Sequence, residues 1–150
     1  MTAPDWRVDV LLVEDNADDA ALTLRALSRL EPAPAVVHVE DGAGALDFLF
    51  GGGAFAGRDT AAQPRLVLAD LQMPRMDGVE LLKRLRADPR TRAVPVVVLS
   101  SSREERDVAA CIRLGANSYV LKPVDFDAFT RSIEDLCRYW LEVNIAPGQS

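Results

Sequence analysis

The chain predicts an α/β fold: a doubly wound, all-parallel sheet of five strands. Three observations carry that prediction. Short apolar runs alternate with segments of helical period, the pattern of repeated βαβ units. The runs are four to six residues long, strand length rather than helix length. Four of the five end directly in residues suited to phosphoryl chemistry: Glu14-Asp15, Asp70, Ser100 and Lys122-Pro123. Five βα units favour the flavodoxin-like order 2-1-3-4-5. In that order the first and third strands are neighbours at the switch point, where ligands bind beyond the carboxyl ends of the strands.

The first strand is expected over Val8–Val13. Asn16 is a plausible N-cap for the helix that follows, and Asp18 and Asp19 suit its positive N-terminus. Ala21, Leu22, Leu24, Leu27 and Leu30 mark its apolar side, and Pro32 and Pro34 end it. Ala35–Val39 reads as the second strand. Asp41 caps a short helix bearing Ala45, Leu46, Leu49 and Phe50 on one face. Gly51–Pro64 has no period and reads as a long loop, a length that often serves a function. Leu66–Ala69 is the third strand. Pro74 and Gly78 bracket a turn, and a helix over Val79–Ala87 stops before Pro89. Val96–Leu99 is the fourth strand, with Ser102 as a cap for the next helix and Gly115 at its far end. Ser118–Leu121 is the fifth strand, and the last helix is expected from Phe126 to Asn144.

At 150 residues, one domain is expected over 1–150, with a core of about 8–141 and a C-terminal helix and tail over 126–150. A 49% apolar and 27% charged composition fits a soluble globular protein, here expected in the cytoplasm. No apolar run approaches membrane-spanning length, and no signal-peptide pattern opens the chain. A net charge of −6 with no basic stripe argues against a nucleic-acid partner. Arg84, Arg86, Arg90 and Arg92 read as solvated helix-end residues. Cys111 and Cys137 lack metal or redox spacing and read as buried thiols in a reducing compartment. His38, the one histidine, reads as a packed or surface residue rather than a metal ligand.

Parallel strands would put the four polar ends on one sheet edge. Adjacent carboxylates repel unless a cation lies between them, and oxygen-only ligands suit Mg2+. Asp15 could alternatively be a helix cap. Asp70 ends a different strand and is followed by Leu71-Gln72-Met73-Pro74, not by a helix start. The chain has fifteen Arg and only two Lys, yet a Lys stands at the fifth strand's end. An ammonium there can meet a phosphoryl oxygen as a point charge, though a surface Lys before a turn proline reads equally well. Ser100 could cap a helix or donate to a phosphoryl oxygen.

Taken together, the set resembles the receiver domain of two-component response regulators. The matching residues are Glu14-Asp15, Asp70 within Leu68–Gly78, Ser100 after Pro95–Leu99, and Lys122-Pro123 after Ser118–Leu121. Asp70 to Ser100 is thirty residues and Ser100 to Lys122 twenty-two, both usual in the family. The resemblance implies that Asp70 accepts a phosphoryl group from a phosphohistidine of a sensor histidine kinase. Glu14, Asp15, Asp70 and the backbone carbonyl of Gln72 would hold Mg2+. Ser100 would bind the phosphoryl oxygen, Lys122 would pair with Asp70 and then with the phosphoryl group, and Tyr119 stands at the aromatic switch position. A cis Lys122-Pro123 bond is also implied. Glu14 replaces the commoner Asp and Ser100 the commoner Thr, while Gln72 and Ser102 occupy positions that tune dephosphorylation.

The last helix narrows the resemblance. Phe126, Phe129, Ile133, Leu136, Trp140 and Val143 recur at spacings of three and four, a stripe longer than the sheet needs. Together with the Gly51–Pro64 loop it is similar to the single-domain regulators that partner bacterial and cyanobacterial phytochromes. A homodimer through the C-terminal helix and tail is expected, using Phe129, Ile133, Leu136, Trp140 and Val143. The chain is expected to be a switch rather than an enzyme, with its output passing through a partner. A haloacid-dehalogenase-like phosphohydrolase is the rival enzyme reading. It needs Asp-x-Asp after one strand, where this chain has Gln72 at the third position. A phosphorylation-independent interaction module is the other rival.

Overall fold

A computed structural model of the chain describes residues 8–73 and 75–145. Pro74, expected to bracket a turn with Gly78, and the tail beyond Ile145 lie outside the described residues. The strands are β1 (Val10–Val13), β2 (Val36–Val39), β3 (Leu66–Asp70), β4 (Val96–Ser100) and β5 (Ser118–Leu121). The helices are α1 (Ala17–Ser28), α2 (Gly42–Phe50), α3 (Gly78–Ala87), α4 (Glu105–Arg113) and α5 (Phe126–Arg138). All strand pairs are parallel and the order is β2-β1-β3-β4-β5.

Strand residues alternate between two apolar layers, as pleating requires. Leu11, Val13, Val67, Ala69, Val96 and Val98 face α2, α3 and α4 through Phe48, Leu49, Leu81, Leu82, Leu85 and Cys111. Val10, Leu12, Leu66, Leu68, Val97 and Leu99 face α1 and α5 through Ala26, Leu27, Phe129, Ile133 and Cys137. β1, β3 and β4 are covered on both faces and therefore read as unbroken apolar runs. The edge strand β2 is only partly buried, and its His38 is exposed.

The caps at α1 and α2 follow the expectation: Asn16 and Asp41 accept from Asp19 N and Gly44 N. Gly115 stands just past α4 at φ +104°, where a Cβ would be strained. Ser102 is not the boundary residue of α4, though its Oγ accepts from Glu104 N at 3.2 Å just ahead of the helix. Glu104 is the boundary residue of α4 and makes no side-chain cap bond. The last helix also differs: regular α5 ends at Arg138 and Tyr139–Val143 form a wider π-type turn. The Gly51–Pro64 loop has internal order. Buried Arg58 lies 4.1 Å above the Phe48 ring, and Phe55 meets Phe48 edge-on at 5.0 Å. The Arg58 guanidinium also donates to the Ala62 carbonyl.

Candidate functional site

The sheet register sets the site. Val13 pairs with Ala69, Asp70 with Leu99, and Ser100 with Leu121, so the polar residues that close β1, β3, β4 and β5 arrive on one edge. Two further bonds extend the pairing past the strand ends: Glu14 N donates to the Val39 carbonyl and Lys122 N to the Ser100 carbonyl. The turn after Asp70 is tight. Gly78 N donates to Leu71 O at 2.9 Å, and a Cβ on Gly78 would stand 2.8 Å from the Asp70 carbonyl oxygen. Glycine is therefore a steric requirement at that position.

Glu14, Asp15 and Asp70 each place a carboxylate oxygen within 4.8 Å of the others. Glu14 is 3% exposed, Asp70 is half-buried and Asp15 is open to solvent. Burial pushes the Glu14 carboxyl up to about 7; the Asp70 charge adds to the rise and the Lys122 ammonium opposes it. A buried acid that resists ionisation beside two other carboxylates is a site short of positive charge. Its all-oxygen donor set fits a hard divalent cation with positions left open for water or phosphate. Gln72 lines the same cleft, and its N–H donates to Asp70 Oδ1 at 3.4 Å.

Lys122 crosses the site from the β5 side. Its Nζ lies 2.6 Å from Glu14 Oε1, 3.0 Å from Asp19 Oδ2 and 3.3 Å from Asp70 Oδ2. Burial alone would lower its pKa, but hydrogen bonds to Glu14 and Asp19 and the Asp70 charge outweigh it, so the ammonium is held charged. Ser100 is buried, and its Oγ accepts from Ser102 N at 3.1 Å. The Ser102 carbonyl accepts from the Tyr119 hydroxyl at 2.9 Å, and its Oγ donates to Asp107 Oδ2 at 2.6 Å. Asp15, Asp19, Asp70, Gln72, Ser100 and Lys122 line one open cleft of about 480 Å³.

Comparison with known proteins agrees with that geometry. The response regulator receiver domain matches residues 10–134. The chain belongs to this family. The "Probable methanogenesis regulatory protein FilR2" of Methanothrix harundinacea is 39% identical over 142 residues, covering 93% of this chain and 87% of that protein. Response regulator Rcp1 of Synechocystis sp. is 31% identical, covering 93% and 92%. Rcp1 has also been solved in a Mn(2+)-bound form, with a TM-score of 0.85. The phosphorylated cyanobacterial phytochrome response regulator RcpA superposes with a TM-score of 0.88 at 32% identity, covering 95% of this chain and 99% of that one. The chain is thus a receiver domain homologous to phytochrome response regulators of two-component systems, in a family that binds a divalent metal.

Within this receiver, Glu14, Asp15, Asp70, Ser100 and Lys122 come together as the strand-end pattern places them, and Gln72 lines the same cleft. Two expectations fail. The Lys122-Pro123 bond is not cis; the one cis bond among the described residues is Glu31-Pro32. Trans is the intrinsically lower-energy isomer, and the Lys122 contacts form without leaving it. Phe129 and Ile133 cannot serve as partner contacts. They are 4% and 0% exposed because α5 lies across the sheet and turns them into the layer shared with α1. Leu136 and Trp140 pack partly against that same layer, while Val143 is 65% exposed. Tyr119 is half-buried, with its hydroxyl already bonded to Ser102.

Sequence reasoning missed three further residues. The sequence pattern assigns Asp19 to the helix terminus, yet it grips Lys122. Arg86 is no solvated helix end: it donates to the carbonyls of Gly115, Thr91, Arg92 and Val94 and to Asn117 Oδ1. Arg75, at φ 64°, pairs with Asp41 and ties the segment after Asp70 to the start of α2. The clue to Asp19 was its place one helical turn after Glu14-Asp15. Arg86 and Arg75 left no clue, because arginine is ordinary in both contexts.

Proposed function

We propose that this receiver is a phosphoacceptor switch in a two-component phosphorelay, working in the cytoplasm, with Asp70 as the acceptor. The observation that supports it best is the Lys122 ammonium held 3.3 Å from Asp70 Oδ2 inside a three-carboxylate cluster. An Asp70 carboxylate oxygen attacks the phosphorus of a phosphohistidine on a sensor histidine kinase, of phytochrome type by homology. The new bond is Asp70 O–P; the P–N bond breaks and the imidazole leaves. Glu14, Asp15, Asp70 and the Gln72 carbonyl would hold Mg2+, which when bound neutralises charge on the transferring phosphoryl oxygens. Lys122 and the Ser100 hydroxyl receive the new oxygens.

Phosphorylation adds charge and three acceptor oxygens at this corner. Ser100 Oγ then turns from Ser102 N to the phosphoryl group. Ser102 also holds the Tyr119 hydroxyl, so the change reaches the α4–β5–α5 face through one peptide. The signal leaves through a partner or through a homodimer formed by the C-terminal segment, with Val143 as its exposed apolar contact. The chain's own chemistry is confined to its phosphorylation and dephosphorylation, with no nucleic-acid or membrane partner.

Incubation with acetyl phosphate and Mg2+ is expected to add one phosphoryl group by intact mass, and Asp70→Asn to remove that capacity. Unchanged labelling of the variant would refute the assignment. Sustained turnover of p-nitrophenyl phosphate would favour a phosphohydrolase instead.

A further inference from the structure

We propose that Asp19 is a positioning residue that draws the Lys122 ammonium toward α1 and away from Asp70, limiting how long the phosphoryl group survives. The proposal rests on Asp70 being the acceptor.

An ammonium has three N–H donors. Here Glu14 takes one at 2.6 Å, Asp19 another at 3.0 Å, and Asp70 is left with the longest contact at 3.3 Å. Glu14 is buried at the end of β1, a fixed anchor. Asp19 comes from a different element, and its backbone is also fixed. Its N–H donates to Asn16 Oδ1, and its carbonyl accepts from the hydroxyl of buried Thr23 at 2.8 Å. The Asp19 carboxylate is therefore held where it can compete for Lys122.

Helix formation does not account for that carboxylate. Asn16 already caps α1, and Asp18 already supplies acidic charge to the first turn. The Asp19 side chain points into the cleft, whereas Asp18 is not among the residues lining it. Lys122 is the one cation among the described residues lining that cleft. Phosphorylation raises the negative charge on Asp70, so the phosphorylated state depends on Lys122 more than the resting state does. A carboxylate that retains a share of Lys122 therefore opposes phosphorylated Asp70 selectively. Removing its charge while keeping its size weakens its hold on that ammonium donor and lowers the negative potential at the phosphoryl group.

The test uses the full chain with Mg2+. Wild type, Asp19→Asn, Asp19→Glu and Asp18→Asn are labelled with acetyl phosphate, and loss of the phosphoryl group to water is followed by intact mass. Each is also titrated with beryllofluoride as a phosphoryl mimic. Asp19→Asn is expected to lengthen the phosphoryl half-life and lower the beryllofluoride midpoint, each by at least about threefold. Asp19→Glu is expected to return both toward wild type, and Asp18→Asn to leave both within about twofold. An unchanged or shorter half-life in Asp19→Asn overturns the proposal, as does an equal effect of Asp18→Asn, which would signal bulk charge alone. If wild type takes up no phosphoryl group at all, it is the reading of Asp70 that fails.

Discussion

Glu14→Gln isolates the electrostatic cost of the metal-free site. In wild type, the Glu14 carboxyl titrates near 7 rather than near its ordinary 4.5. Because its folded pKa lies above the unfolded one, the folded chain binds the proton more tightly. This group's contribution to stability is therefore fully present below about pH 4.5 and is lost as pH rises toward 7. At about 1.4 kcal/mol per tenfold, the change is about 3 kcal/mol. For a chain of this size, about 1 kcal/mol moves Tm by about 2–4 °C, so this one group lowers Tm by about 6–12 °C across that range. Thermal unfolding followed by circular dichroism in EDTA, at pH 5 and pH 8, measures it. The glutamine variant keeps an oxygen that accepts from Lys122 but has no proton to lose. The wild-type-minus-variant difference in Tm should therefore swing in the variant's favour at pH 8. Mg2+ at ten times its pH 8 Kd should restore about 1.4 kcal/mol to wild type at pH 8, and the same concentration less at pH 5, since its ligands must be ionised. A difference that is the same at both pH values would refute the reasoning.

The C-terminal segment separates into core and surface. Ile133→Ala is expected to cost about 2–5 kcal/mol in urea unfolding by emptying a fully buried site. Val143→Glu should leave stability within about 0.5 kcal/mol, yet shift any dimer toward monomer in sedimentation. Arg58→Ala uncovers the Phe48 ring and strands the Ala62 carbonyl; limited proteolysis should then cut between Gly51 and Pro64 first. Tyr119→Phe deletes one hydrogen bond to Ser102 and should cost about 0.5–1.5 kcal/mol in urea unfolding.

Much of the fold was legible because its central strands carry no ambiguity. β1, β3 and β4 are buried on both faces, and a doubly buried strand must be apolar throughout. The caps at Asn16 and Asp41 were equally legible, since a cap is a local event between neighbours. The start of α4 was not. Ser102 has the right side chain for a cap, and its Oγ accepts from Glu104 N, but α4 starts only at Glu105; the same hydroxyl donates to Asp107, and its peptide hydrogen-bonds with Ser100 and Tyr119. Of these partners, Tyr119 is brought to Ser102 by tertiary structure, from 17 residues away in sequence. The stripe on α5 misled for a related reason. Periodicity shows that a face is apolar without showing what covers it, and Phe129 and Ile133 are covered by this chain's own sheet and α1.

The site divides along the same line. Glu14, Asp15, Asp70, Ser100 and Lys122 each stand at or just beyond a strand end, so the sheet order alone brings them together. Asp19 does not. It reaches the site from the first turn of α1, and meets there a Lys122 that β5 delivers from the other side of the sheet. A linear pattern places an acidic residue in the first helical turn and explains it by the helix dipole, an account worth a few tenths of a kcal/mol to about 1 kcal/mol at a surface. The contact with Lys122, an ammonium 11% exposed, is a second interaction that this account leaves out. Helix position thus explains Asp19 by the local one of its two interactions and hides the one that crosses between elements.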